Sequence, residues 1–127
     1  MAIETEIVSR LKSFAGTAAL SGSRVYPVVL PTDVAPAITY RRLSATPEIA
    51  LDGSVMVTSV QLEISAWGTS YDMARTLADA VFSALDGYGN EVGVMVAHAQ
   101  FGPDLYEPEV PDSVRFRCLV EVEVLAR

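Results

Sequence analysis

The run VRFRCLVEVEVLA, residues 114–126, does most to limit what this chain can fold into. Val114, Phe116, Cys118, Val120, Val122 and Val124 alternate with Arg115, Arg117, Glu121 and Glu123. A period of two sends the two sets to opposite faces of a β-strand. The chain therefore needs a sheet with one face under apolar cover and the other open to charge, the usual condition of an antiparallel sheet covered on one side. VQLEISA repeats the pattern, with Val60, Leu62, Ile64 and Ala66 set against Gln61, Glu63 and Ser65. By the same parity Trp67 falls on the face opposite Leu62 and Ile64, where it either packs over the sheet or anchors a partner.

The cover comes from two segments with helical spacing. Ile3, Ile7, Leu11 and Phe14 recur at intervals of three and four, with Gly16 as the expected stop, and Ala74, Leu77, Ala78, Val81 and Leu85 form a second stripe. Thr69 or Ser70 is placed to cap the second helix, Gly68 to let the backbone turn before it, and Gly87 to end it. RVYPVVLP reads as a short edge strand or an irregular one because Pro27 lacks a ladder donor, and residues 36–44 as another strand. SATPEIALDGS, with Pro47 and the Asp52-Gly53 pair, reads as a long hairpin connection. EVGVMVAHAQF is extended, and GPDLYEPEVPDS, rich in proline and acid, reads as a protruding loop. The order α-β-β-β-α-β-β describes an α+β fold: a mainly antiparallel sheet of four to five strands with two helices on one face.

Half of the 127 residues are apolar, enough for a core of one domain spanning 1–127. Positive mean hydropathy with few aromatics leads us to expect apolar surface kept for a partner, most simply another copy. A net charge of −7 opposes attraction to phosphate backbones. No apolar run reaches the roughly 20 residues of a membrane span, and the charges in MAIETEIVSRLKSF do not suit a signal peptide. One cysteine excludes an internal disulfide and a paired-Cys metal site.

Reaction chemistry finds little support. His98, the single histidine, has no carboxylate beside it in sequence and reads as a strand residue, packed or half-exposed. Cys118 lies on the apolar face, where a thiol behaves as a small hydrophobe. Asp104, Glu107, Glu109 and Asp112 do not match a calcium loop and read as a solvated loop or a subunit contact. The glycines of GYGNEVG follow a helix and precede a strand, the reverse of the order that cradles phosphate. No catalytic, cofactor or metal site is expected, and the chain is not expected to be an enzyme.

The succession RVYPVVLPTDVAPAITYRRLS, a glycine-containing connection, and VQLEISAWGTSYDMARTLADAVFSAL resembles the small tail-completion or tail-terminator proteins of long-tailed bacteriophages and gene transfer agents. Tyr26-Pro27, Pro31, Pro36, Ala66-Trp67 and Tyr71 with Ala74 carry the likeness; Ala37 and Ser59 depart from it. The resemblance implies a homo-oligomeric ring, hexameric, that caps the tail tube, ends tail growth and joins the tail to the head. Its expected partners are other copies, the tail tube protein and the head connector or stopper, with DNA passing through the lumen without specific binding and no membrane involved. Its expected place is the head–tail junction of a virion or phage-like particle assembled in the bacterial cytoplasm. A closed ring needs two unlike patches on each copy. Candidates are the first helix and segments 45–57 and 102–112, with Asp52, Gly53, Asp104, Tyr106, Glu107 and Glu109, and Trp67 as an aromatic anchor. Other readings are a neighbouring neck protein, either a head–tail stopper or a tube protein, and a small ligand-binding α+β domain. The last would need a pocket near His98, Trp67 or Tyr71.

Overall fold

The structure, a computed structural model, describes residues 3–22, 24–29, 36–89, 94–106 and 116–126. The elements are α1 (Ile3–Ser13), α2 (Ala15–Leu20), β1 (Val25–Pro27), β2 (Ala37–Ile49), β3 (Val55–Gly68), α3 (Tyr71–Leu85), β4 (Val94–Tyr106) and β5 (Phe116–Ala126). The strands form one five-stranded sheet in the order β1-β2-β3-β5-β4, antiparallel except for the β1–β2 pair. The α+β class holds, with three helices where the periodicity predicts two.

The two alternating runs lie side by side. Val60 pairs with Val124, Leu62 with Val122, Ile64 with Val120 and Ala66 with Cys118, and all eight are buried. Against them α3 places Ala74, Leu77, Ala78, Val81, Ala84 and Leu85, all fully buried, and α1 adds Ile3, Ile7 and Leu11. Burying each Val, Leu or Ile side chain contributes about 1.5–3 kcal/mol, so this single layered contact holds helices to sheet. Arg10 ties α1 to the end of α3: its Nε donates to the Ala84 carbonyl at 2.8 Å, and its guanidinium lies over the Phe14 and Tyr88 rings. A cation there also suits the negative end of the helix dipole.

Three expectations are corrected. The first helix does not run to Gly16; it stops at Ser13 and the chain restarts as α2. The buried Thr17 hydroxyl donates to the Leu11 carbonyl and fixes the angle between them. The long hairpin connection is instead mostly strand, because β2 continues through Pro47, which pairs with Thr58, to Ile49. A proline fits an edge strand whose missing N–H faces outward. Only residues 50–54 turn, with Ala50 N–H donating to Ser54 O at 2.8 Å and Gly53 N–H to Ala50 O at 2.9 Å. Likewise the predicted loop from Gly102 is strand as far as Tyr106, and an irregularity between Phe101 and Asp104 accommodates Gly102 and Pro103. Residues 107–115, including Glu107 and Glu109, lie outside the described residues.

The corner at Gly68 works by proximity rather than backbone freedom. Gly68 is absent from the glycines of positive φ. A Cβ there would stand 2.7 Å from the Ala74 nitrogen and 3.0 Å from Met73 Cβ, so β3 and the first turn of α3 approach closely only because position 68 has no side chain. Ser70 is the N-cap, its hydroxyl accepting from the Met73 N–H at 3.2 Å.

Candidate assembly surfaces

Chemistry-bearing residues are placed first. Cys118 is buried on the helix-covered face; burial, then the nearby Asp104 carboxylate, pushes its thiol up to about 12. A thiol that stays protonated across the physiological range is a packing group, not a nucleophile. His98 is exposed on the uncovered face, opposite Glu123 in the β4–β5 register. Around it lies a shallow hollow of about 280 Å³ lined by Gln61, Gln100, Glu121 and Glu123. A second, of about 220 Å³, lies by Thr39, Arg41, Glu63 and Arg117. Among the described residues no three His, Cys, Asp or Glu side chains gather as a metal-ligand set.

The uncovered face is a polar ladder. Glu63 stands opposite Glu121, a like-charge pair that is destabilising unless offset. The offset comes from Arg41, which donates to both Glu63 oxygens at 3.1 and 3.3 Å. Gln61 Nε2 donates to Glu123 at 2.7 Å. Trp67 is on this face as its parity requires, but only 7% exposed: its indole N–H donates to the buried Thr39 hydroxyl at 2.9 Å, and the Arg117 guanidinium lies over its ring. In this chain the indole is a packing residue of the sheet.

The two sheet margins differ. On the β4 side the residues after α3 cap the outer edge. Gly87 N–H donates to Ala97 O at 2.8 Å, Ala97 N–H to Tyr88 O at 2.7 Å, and Ala99 N–H to the Asp86 carboxylate at 3.2 Å. At Ala97 and Ala99 such capping removes free donors and acceptors that invite strand pairing. On the other side β1 covers β2 only at residues 38–40, and β2 from Arg41 to Ile49 is exposed throughout. Among the described residues this stretch pairs with β3 alone, and it runs to the turn that holds Asp52 and Gly53. Gly53 has φ +89, and the Asp52 carboxylate accepts from the Ser54 hydroxyl and N–H at 2.7 and 2.9 Å. These bonds hold the Asp52 carboxyl below its usual range. Both residues therefore have a local role in shaping the tip.

Apolar exposure concentrates at the same two margins. The ribbon bears Leu43, Ile49 and Leu51, the last with its side chain wholly in solvent. The β4–α3 margin bears Tyr71, Phe101, Leu105 and Tyr106. A polar network frames that second patch: Tyr71 Oη donates to Asp104 Oδ2 at 2.8 Å, and Arg75 reaches Asp104 at 2.9 Å and Asp79 at 3.2 Å. The Tyr71 hydroxyl bond, joined by Cys118 and the Arg75 charge, holds the Asp104 carboxyl below its usual range. Arg75 lies over the Phe101 ring, which stacks on Phe82 at 4.5 Å, and Tyr106 packs on Phe116. Of the segments proposed from sequence, Asp52 and Gly53 thus fall at one margin and Asp104 and Tyr106 at the other. Ile49, Leu51 and Leu105 lie within the candidate segments 45–57 and 102–112; sequence reasoning missed Leu43 and Phe101, and offered Tyr71 only as a pocket residue. The one available signal of apolar exposure was Leu51, an apolar residue set directly before a turn pair.

Comparison with known proteins follows from this fold. The profile of the family described as "Tail completion protein gp17" matches residues 5–125. Among solved structures, a chain from the "Virion of native gene transfer agent (GTA) particle" is similar, with a TM-score of 0.67 and 22% identity, over 99% of this chain and 96% of that one. No curated protein matches.

Proposed function

The chain belongs to the tail completion protein gp17 family, a family of structural virion proteins, and from that premise we propose that it is the ring that ends a phage-type tail. In this reading, copies join head to tail into a hexameric ring on the finished tail tube. One face of the ring stops further addition of tube protein and the other receives the head connector or stopper. The protein acts at the head–tail junction of a virion or gene transfer particle assembled in the bacterial cytoplasm, and DNA crosses the lumen without specific contacts. The observation that carries the reading is the family match across almost the whole chain. The likeness to a chain of a gene transfer particle supports a place in such a particle. The net charge of −7 is compatible with passage of a polyanion that must not adhere. Catalysis has no part in this role, and the packed, protonated Cys118 is consistent with that. Asp104 and Tyr106, with Glu107 and Glu109 beyond them, and Asp52 and Gly53 are the proposed contact regions; Trp67 supports the sheet behind them.

Deleting the gene in a strain that makes the particle tests this. A terminator is required to stop polymerisation, so its loss gives tubes of uncontrolled length without heads. Tubes of normal length that fail only to join heads would point to a stopper instead, and an absence of tubes to a tube protein.

A further inference from the structure

We propose that the contact closing the ring is made by the β2–β3 ribbon of one copy, through Leu43, Ile49 and Leu51, seated against the β4–α3 margin of the next, at Tyr71, Phe101 and Tyr106. This rests on the reading of the chain as a head-to-tail ring and adds which surfaces meet. Val28 and Val29 aside, every exposed large apolar residue described belongs to one of these two patches. They lie on opposite sides of one sheet, because β2 and β4 are separated by β3 and β5, so a single chain cannot bring them together. A second copy can, and each copy then uses both patches, which is the condition for a heterologous closed assembly.

Charge agrees with this occupant at the base of the ribbon, while the ribbon's own acids, Glu48 and Asp52, lie toward its tip. Arg41 and Arg42, with side chains 55% and 48% exposed, stand at the base of the ribbon. The opposite margin carries exposed Asp72 and Asp79 together with Asp104, the last two paired with Arg75 of the same margin. Each ribbon arginine already has a carboxylate of its own, Glu63 and Glu4, so the effect is one of steering and register more than of new ion pairs. Edge protection agrees too. Residues 86–88 cap the β4 edge at Ala97 and Ala99, and the aromatic groups farther along that margin suit anchoring of an apolar tip.

Cysteine pairing tests the contact, with buried Cys118 as an internal background control. The full chain carrying Leu51→Cys and Tyr106→Cys together, oxidised at high protein concentration, is expected to give a ladder of covalent oligomers at least tenfold above either single variant. An equimolar mixture of the single variants is expected to stop at the dimer. Asp79→Cys, at an exposed helix position, serves as a second margin site should Tyr106→Cys disturb packing. Leu51→Asp, which touches no core residue, is expected to reduce self-association at least tenfold in sedimentation while leaving the circular dichroism unchanged. Covalent dimers from Leu51→Cys alone would overturn the proposal in favour of a two-fold contact. Rings that form normally with Leu51→Asp would overturn the contact and leave the ring reading standing. A wild-type protein absent from particles, or one whose deletion leaves tail length and head joining unchanged, would overturn the ring reading and the contact with it.

Discussion

Replacing Gly68 with alanine tests the corner between β3 and α3. The new methyl group would stand 2.7 Å from the Ala74 nitrogen and 3.0 Å from Cβ and Cγ of Met73. Rotation about χ1 can move Met73 Cγ away, but not its Cβ. The Ala74 nitrogen cannot move either, because its N–H is bonded to Ser70 O at 3.1 Å in the first turn of the helix. Relief therefore requires α3 to move off the sheet, loosening Ala74 and Leu77, both fully buried. Inserting a methyl group into a well-packed contact costs about 1–3 kcal/mol, while the stiffer unfolded chain returns about 0.4–1 kcal/mol. The net loss is about 1–2 kcal/mol, a fall in Tm of roughly 4–10 °C for a domain of this size. Urea and thermal unfolding followed by the fluorescence of Trp67, the single tryptophan, measure it beside the site. A Tm within about 1 °C of the parent, or above it, would refute the argument that proximity makes glycine necessary here.

Further outcomes follow from the polar contacts. Thr39→Val removes the buried acceptor of the Trp67 N–H at 2.9 Å and is expected to cost about 1–3 kcal/mol, with a shift of the tryptophan emission; denaturant titration checks both. The Cys118 thiol, raised to about 12 from 9.0, should resist alkylation in the native protein at pH 8 and react on unfolding. A raised pKa means that the folded state holds the proton more tightly, so this stability is complete below the unfolded value of 9.0 and declines as pH rises toward about 12. Asp104 and Glu4 are lowered, chiefly by hydrogen bonds from Tyr71 and Arg42. Their contribution is present above the unfolded values of 3.8 and 4.5 and is lost as pH falls through the folded ones. Melting curves from pH 7 to pH 3 should show that loss, and Asp104→Asn should flatten part of it.

How much of this was legible in the sequence depended on whether a segment's signal was local. The alternation in β3 and β5 and the stripe of α3 are produced by direct contact with the core, and they were read correctly, as were the Ser70 cap and the stop at Gly87. The second helix escaped because AGTAAL is too short to show a period and is held by hydroxyl bonds from Thr17 and Ser21. Pro47 and Pro103 read as strand breakers in sequence, yet one lies on an open edge and the other in an irregularity beside Phe101; neither context can be seen before the strand order is known. The parallel pairing of β1 with β2 is likewise a tertiary fact. Leu43 and Phe101 escaped for the same reason, since an apolar strand residue looks like core until the layers are assembled. Trp67 was given both a packing and an interface role, and its bond to Thr39 explains the first.

Cryo-electron microscopy of particles from a producing strain tests the central claim most directly. The account predicts this chain as a single closed ring at the head-proximal end of the tail tube, with the β2–β3 ribbon of each copy against the β4–α3 margin of its neighbour. Copies stacked along the tube, or no density for the chain at the head–tail junction, would contradict it.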